Sequence, residues 1–100
     1  MTINLAKTAI KKPVAAKKAV TVKWKKANKQ VTGYQVMVAT KKAFIKNVKK
    51  AFVTKKKTTS KKMTGLKANK KYYVRVRTYK TVNGVKMYSA WSAVKTVKTK

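Results

Sequence analysis

Apolar and polar residues alternate through most of this chain, and no stretch shows the three-to-four-residue spacing of an amphipathic helix. In "AVTVKWK" (19–25), Val20, Val22 and Trp24 share one face, and Thr21, Lys23 and Lys25 share the other. This two-residue period predicts a half-buried strand, because successive side chains of an extended chain point to opposite sides. "GYQVMVAT" (33–40) repeats the pattern with Tyr34, Val36 and Val38 inward. "YYVRVRT" (72–78) sets Tyr72, Val74, Val76 and Thr78 inward and Tyr73, Arg75 and Arg77 outward. Turn chemistry separates these runs: "ANKQVTG" before residue 34, "GLKANK" before residue 72, and Asn83-Gly84. Asn-Gly between extended flanks predicts a two-residue hairpin, since both central residues must take positive φ.

Weaker segments fill the gaps. "AFVTK" (51–55) and "TSKKMTG" (59–65) read as short strands joined by the lysine run 55–57. "KTAIKKPVAA" (7–16) reads as an edge strand broken at Pro13, which has no N–H to give to a ladder. Periodicity does not say what the lysine-rich region 41–62 pairs with. Seven short strands with regular turns predict an all-β, antiparallel, two-sheet sandwich. Its core is expected to hold Val20, Val22, Trp24, Tyr34, Val36, Val38, Leu66, Tyr72, Val74 and Val76. The 100 residues suit one domain, 1–100, with 1–6 and 98–100 expected to fray at its ends.

Charge changes the picture. The chain has 29 Lys+Arg, no Asp or Glu and no His, for a formal charge of +29, yet 44% of it is hydrophobic. That is core material enough to set it apart from disordered polycations. If acids held about a tenth of positions, an acid-free chain of this length would arise about once in tens of thousands. All the bases except Arg75 and Arg77 are lysine. Such a composition reads as engineered: a scaffold whose Asp and Glu were replaced by neutral or basic residues.

The missing letters also bound the chemistry. Without Asp, Glu, His or Cys there is no carboxylate pair, triad, imidazole base, thiolate site or hard-cation cage. A Schiff-base lysine would need to stand apart from the rest, and nothing marks one. No catalytic, cofactor or metal site is therefore expected, and the chain reads as a non-enzyme. No apolar run approaches the ~20 residues of a membrane span. The opening "MTINLAKTAIKKP" lacks the apolar stretch of a secretory signal, so a soluble chain is expected.

The order of these signals resembles a fibronectin type III domain, a seven-stranded immunoglobulin-like sandwich, nearly end to end. "V-x-V-x-W" (20–24) is similar to the family's second strand with its core tryptophan, and "GYQVMV" to its third. "MTGLKANKKYYVRVRTY" (63–79) is close to the family's most specific stretch, a Gly-Leu followed six residues later by a tyrosine. The resemblance implies a tyrosine corner: Tyr72 buried, its hydroxyl bonded to backbone near Leu66. Asn69 stands where the family often has glycine and is among the few residues that tolerate a left-handed backbone. The ending "YYVRVR…YSAWS…KTVK" is most similar to tandem domains of large bacterial surface proteins. No Arg-Gly-Asp tripeptide is present, so integrin-type binding has no support.

"YSAWS" (88–92) resembles the Trp-Ser-x-Trp-Ser box of cytokine-receptor modules, with tyrosine in the first aromatic place. The resemblance implies a structural cation–π ladder of Arg75, Arg77, Tyr88 and Trp91. Register tests it. A two-residue turn at 83–84 pairs Val82 with Val85; continued strictly, it sets Trp91 beside inward Val76 and Val94 in solvent. A one-residue bulge between 85 and 93 instead sets Trp91 beside outward Arg77 and Val94 beside inward Val74, and is the favoured register. Val97 fits neither. A planar, weakly hydrated guanidinium stacks on a ring better than an ammonium does, a reason for arginine only here.

Two functions remain. The first is a structural module without a specific partner, expected as a monomer, that tests folding without acids. The second is a polyanion-binding module. A charge of +29 attracts nucleic acid, heparin-like chains and anionic membrane surfaces by counterion release. The lysines are spread over all strands and loops, which predicts unselective attraction.

Overall fold

The structure, a computed structural model, describes residues 8–26, 31–55 and 57–100. Its strands are β1 (Val14–Ala16), β2 (Ala19–Lys23), β3 (Gly33–Ala39), β4 (Lys49–Val53), β5 (Ser60–Met63), β6 (Lys71–Val82), β7 (Val85–Tyr88) and β8 (Lys95–Lys98). One sheet runs β1-β2-β5; the other runs β4-β3-β6-β7, with β8 also on β6. Every pairing is antiparallel. No helix occurs among the described residues. The all-β sandwich read from the alternation is the fold, with eight strands where seven were expected. The extra one arises because the last strand is broken: β7 and β8 pair with opposite ends of the same side of β6.

Local chemistry sets the turns. Asn83 (φ 51°) and Gly84 (φ 79°) both take the left-handed region that a two-residue hairpin requires, and Asn69 (φ 50°) does so before β6. Ile10 bridges Trp24 ahead of Pro13, and β1 resumes at Val14. The expected turn over 27–33 and the run 55–57 fall partly on Ala27–Gln30 and Lys56, outside the described residues, as do 1–6. The lysine-rich region resolves into β4, paired with β3, and β5, paired with β2 in the other sheet.

The inward positions make one core. Val20, Val22, Trp24, Tyr34, Val36, Val38, Leu66, Tyr72, Val74 and Val76 cluster there with Val53 and Met63. The rings of Trp24 and Tyr34 lie 5.1 Å apart, so two aromatic side chains fill its centre. Full burial of even one valine removes apolar surface worth about 1.5–3 kcal/mol, and six of the valines in this cluster are fully enclosed.

Three edge strands each carry a lysine on the core-facing side: Lys49 opposite Val38, Lys61 opposite Val22 and Lys95 opposite Val74. All three are exposed, and the Lys49 ammonium donates to the Thr64 carbonyl at 3.0 Å. An inward-pointing charge on an edge blocks pairing with another chain.

Just past β8, Thr99 ties the end of the chain to the loop that precedes β6. Its Oγ1 accepts from the Lys70 N–H at 3.0 Å and donates to the Lys67 carbonyl. Beyond it, the Lys100 N–H donates to the Ala16 carbonyl at 3.0 Å, lacing β8 to β1.

Candidate functional site

Strand β3 is buried along its whole length, although only alternate residues face the core. Something covers its outer face. That cover is built from β6 and from the break between β7 and β8.

The break begins with two serines. Ser89 Oγ accepts from the Thr78 N–H at 2.9 Å, and Ser92 Oγ accepts from the Val76 N–H at 3.0 Å. Each serine's own N–H donates to the carbonyl of the same β6 residue, at 3.0 and 2.8 Å. Side-chain oxygens thus satisfy buried backbone donors that a regular strand would have met with carbonyls. The chain gains length in doing so. Tyr79 faces Tyr88, but Val74 faces Lys95, so six residues (89–94) lie opposite the four of 75–78.

This corrects the expected register. Two extra residues are inserted, not one, so Lys95 and not Val94 stands opposite Val74, and Val94 is 37% exposed. A slip of two preserves the alternation of faces. Val97 then lies opposite Tyr72 and packs against the core.

The serine-braced segment turns Trp91 over the outer face of β6. The guanidinium carbon of Arg75 lies 4.0 Å from the centre of the Trp91 ring, and that of Arg77 lies 4.2 Å from it. Arg77 also stacks on Tyr88 at 3.7 Å, and Arg75 on Phe44 at 4.0 Å. The order is Tyr88, Arg77, Trp91, Arg75, Phe44: rings and guanidiniums interleaved. Of these, Arg75, Arg77, Tyr88 and Trp91 were candidates from sequence, and Phe44 was not. Phe44 sits in the β3–β4 loop at φ 56°, where a bulky side chain is strained, yet its ring is buried with Met37 and Ala39. No periodicity marks it; the only hint is a lone aromatic among lysines. Gln35 and Met37 anchor the ladder from β3: Arg77 Nε donates to Gln35 Oε1 at 2.7 Å, and Arg75 Nη2 lies 3.5 Å from Met37 Sδ.

Burial shifts both arginines downward from their ordinary pKa; for Arg75 the neighbouring Arg77 charge adds to the shift, while for Arg77 the Tyr88 hydroxyl opposes it. Beside them, Phe52 and Tyr79 meet edge to face at 5.3 Å, with the Lys86 ammonium 5.4 Å above Phe52. Gly33, opposite Tyr79, lies so close to β4 that a Cβ there would overlap the Val53 carbonyl. Burial, and secondarily Tyr88, raises the Tyr79 pKa.

The other sequence candidates lie elsewhere. Tyr72 is buried, and its hydroxyl accepts from the Lys67 N–H at 2.9 Å, next to Leu66. An open groove of about 540 Å³ is lined by Val31, Thr32, Thr54, Lys55, Lys57 and Thr58, so it presents hydroxyls and ammonium groups but no acid–base pair. Chemically, the ladder can hold rings rigid and present guanidinium edges; it offers no proton acceptor in the catalytic range.

The fold has many solved counterparts. The FN1–FN3 domains of chicken CNTN1 are 23% identical with a TM-score of 0.74, over 98% of this chain and 31% of that one. The fn3 domain of human contactin 1 is 19% identical with a TM-score of 0.70, over 100% of this chain and 87% of that one. A β-1,2-glucanase from Parabacteroides distasonis is 14% identical with a TM-score of 0.76, over 95% of this chain but only 13% of the enzyme. At these identities the likeness concerns the fold alone. Among curated protein sequences, none matches this chain significantly. The family model for the Fibronectin type III domain matches residues 9–95, across both sheets and the serine-braced ladder, and the chain therefore belongs to the fibronectin type III family.

Proposed function

We propose that this chain is an engineered, carboxylate-free fibronectin type III module whose role is structural: to hold a β-sandwich together without acidic side chains. Fibronectin type III domains are generally non-catalytic binding or scaffold modules, which agrees with this reading. The observation that carries it is the pairing pattern. In a chain without Asp or Glu, buried backbone donors of β6 are met by Ser89 and Ser92, the Arg77 Nε–H by Gln35, and the two guanidinium faces by rings, while Trp24 Nε1 and Arg75 Nε stay without an acceptor. The test is reversal. A variant with six exposed lysines, for example Lys25, Lys42, Lys57, Lys62, Lys67 and Lys98, changed to Glu should keep the same backbone and melt higher at low salt. A changed fold would contradict the reading.

A second reading rests on the lysines, which stand exposed on both sheets and in the loops. They give unselective, salt-dependent attraction to nucleic acid, heparin-like chains and anionic membranes. Two unrelated DNA duplexes of equal length should bind alike and be released together as salt rises. A hundredfold preference for one at fixed salt would overturn the view that this attraction is incidental to a structural role.

A further inference from the structure

We propose that the outer edge of the ladder is a docking surface for an extended acidic peptide carrying carboxylates at alternate positions. A guanidinium has five N–H donors, all directed outward in its plane. Rings cover the faces of Arg75 and Arg77, so only the edges remain for hydrogen bonding. Among the described residues, Arg77 gives one N–H to Gln35, and Arg75 gives one to the weak acceptor sulfur of Met37. Arg75 Nε is buried with no acceptor and lies out of a ligand's reach, so the terminal N–H groups are the ones left for a partner. The pair is short of acceptors, and the chain contains no side-chain carboxylate to supply them.

Geometry selects the ligand. Arg75 and Arg77 project from one side of β6 two residues apart, a repeat of ~6.8 Å on an extended chain. A partner peptide in extended form repeats its own side chains at that spacing. A Glu-x-Glu segment therefore offers one carboxylate to each fork, and arginine forks take carboxylates bidentately. Both arginines are only partly buried, and the Tyr88 ring beside them is 39% exposed, so a strand lying across this edge meets them without opening the core. The lysines elsewhere attract any polyanion; the two forks add selectivity by spacing.

The experiment uses the folded chain at physiological salt and two fluorescent peptides of identical composition. In one, Glu and Ser alternate; in the other, all Glu residues are at one end. The alternating peptide should bind at least tenfold more tightly, and Arg75→Lys/Arg77→Lys should abolish that preference while leaving the block peptide unchanged. Arg77→Lys alone, checked by thermal melting, should reduce the preference if the double variant does not fold. Equal binding of the two peptides, or a preference that survives either folded variant, would overturn the proposal.

Discussion

The guanidinium of Arg75 lies 4.0 Å from the ring centre of Trp91 and, on its other face, 4.0 Å from that of Phe44. A cation held between two rings loses hydration but gains their negative faces, and a compact ammonium cannot cover both. Replacing Arg75 and Arg77 together by lysine keeps the net charge and removes the planar stack. The expected loss is about 0.5–2 kcal/mol for the pair, read by chemical denaturation. An unchanged midpoint would mean that the rings are held by packing alone.

The serine braces make a sharper test. Changing Ser92 to Ala leaves the buried Val76 N–H without its side-chain acceptor, at a cost of about 1–3 kcal/mol. Because Ser92 also sets the turn beside Trp91, the variant should dim the near-ultraviolet circular dichroism of that ring. Loss of stability without a change in the Trp91 signal would detach the brace from the ladder.

The sandwich was legible because it follows from period-two alternation, which needs only the inward valines and the turn residues. Trp91 over the arginines was legible through the resemblance of "YSAWS" to the Trp-Ser-x-Trp-Ser box, although the register argued for it inserted one residue too few. Phe44 was not. It reaches the ladder from an irregular loop through a left-handed backbone, and neither property leaves a periodic trace. The second inserted residue was hidden for a related reason. Serine side chains replaced ladder bonds, so the strand slipped by two and the alternation of faces was restored beyond it.

Tyr79 predicts a pH dependence. Burial raises its pKa above the ordinary 10.0, so from that pH upward the unfolded chain loses this proton while the folded chain keeps it. The folded state then binds more protons, and this contribution to stability is full below about pH 10 and is lost as pH climbs past it. Comparison of the chain with Tyr79→Phe between pH 9 and 11 should show the steeper loss in the parent. Parallel curves would rule the effect out.

The tyrosine corner should be separable from the core around it. Tyr72→Phe removes the hydroxyl that accepts from Lys67 and leaves the ring in place, costing about 0.5–1.5 kcal/mol in urea denaturation. A neutral substitution would show that water satisfies the Lys67 N–H as well as the hydroxyl does.

The central claim is that this sandwich stands on apolar packing, neutral hydrogen bonds and ring-stacked arginines, against the repulsion of its own charge. Over a surface of 6260 Å², the 29 cations have no acidic side chain among them. Neighbours ~15 Å apart repel by only about 0.3 kcal/mol in water, but the many pairs add. The screening length falls from ~30 Å at 0.01 M salt to ~8 Å at physiological strength, which removes most of that sum. Acid adds no new side-chain charge, because there is no carboxylate or imidazole to protonate. The decisive measurement is a set of thermal melts at pH 2 and pH 7, each in low and high salt. The fold should persist at pH 2, and the melting temperature should climb with salt at both pH values. Unfolding between pH 7 and pH 2, or a melting temperature indifferent to salt, would contradict it.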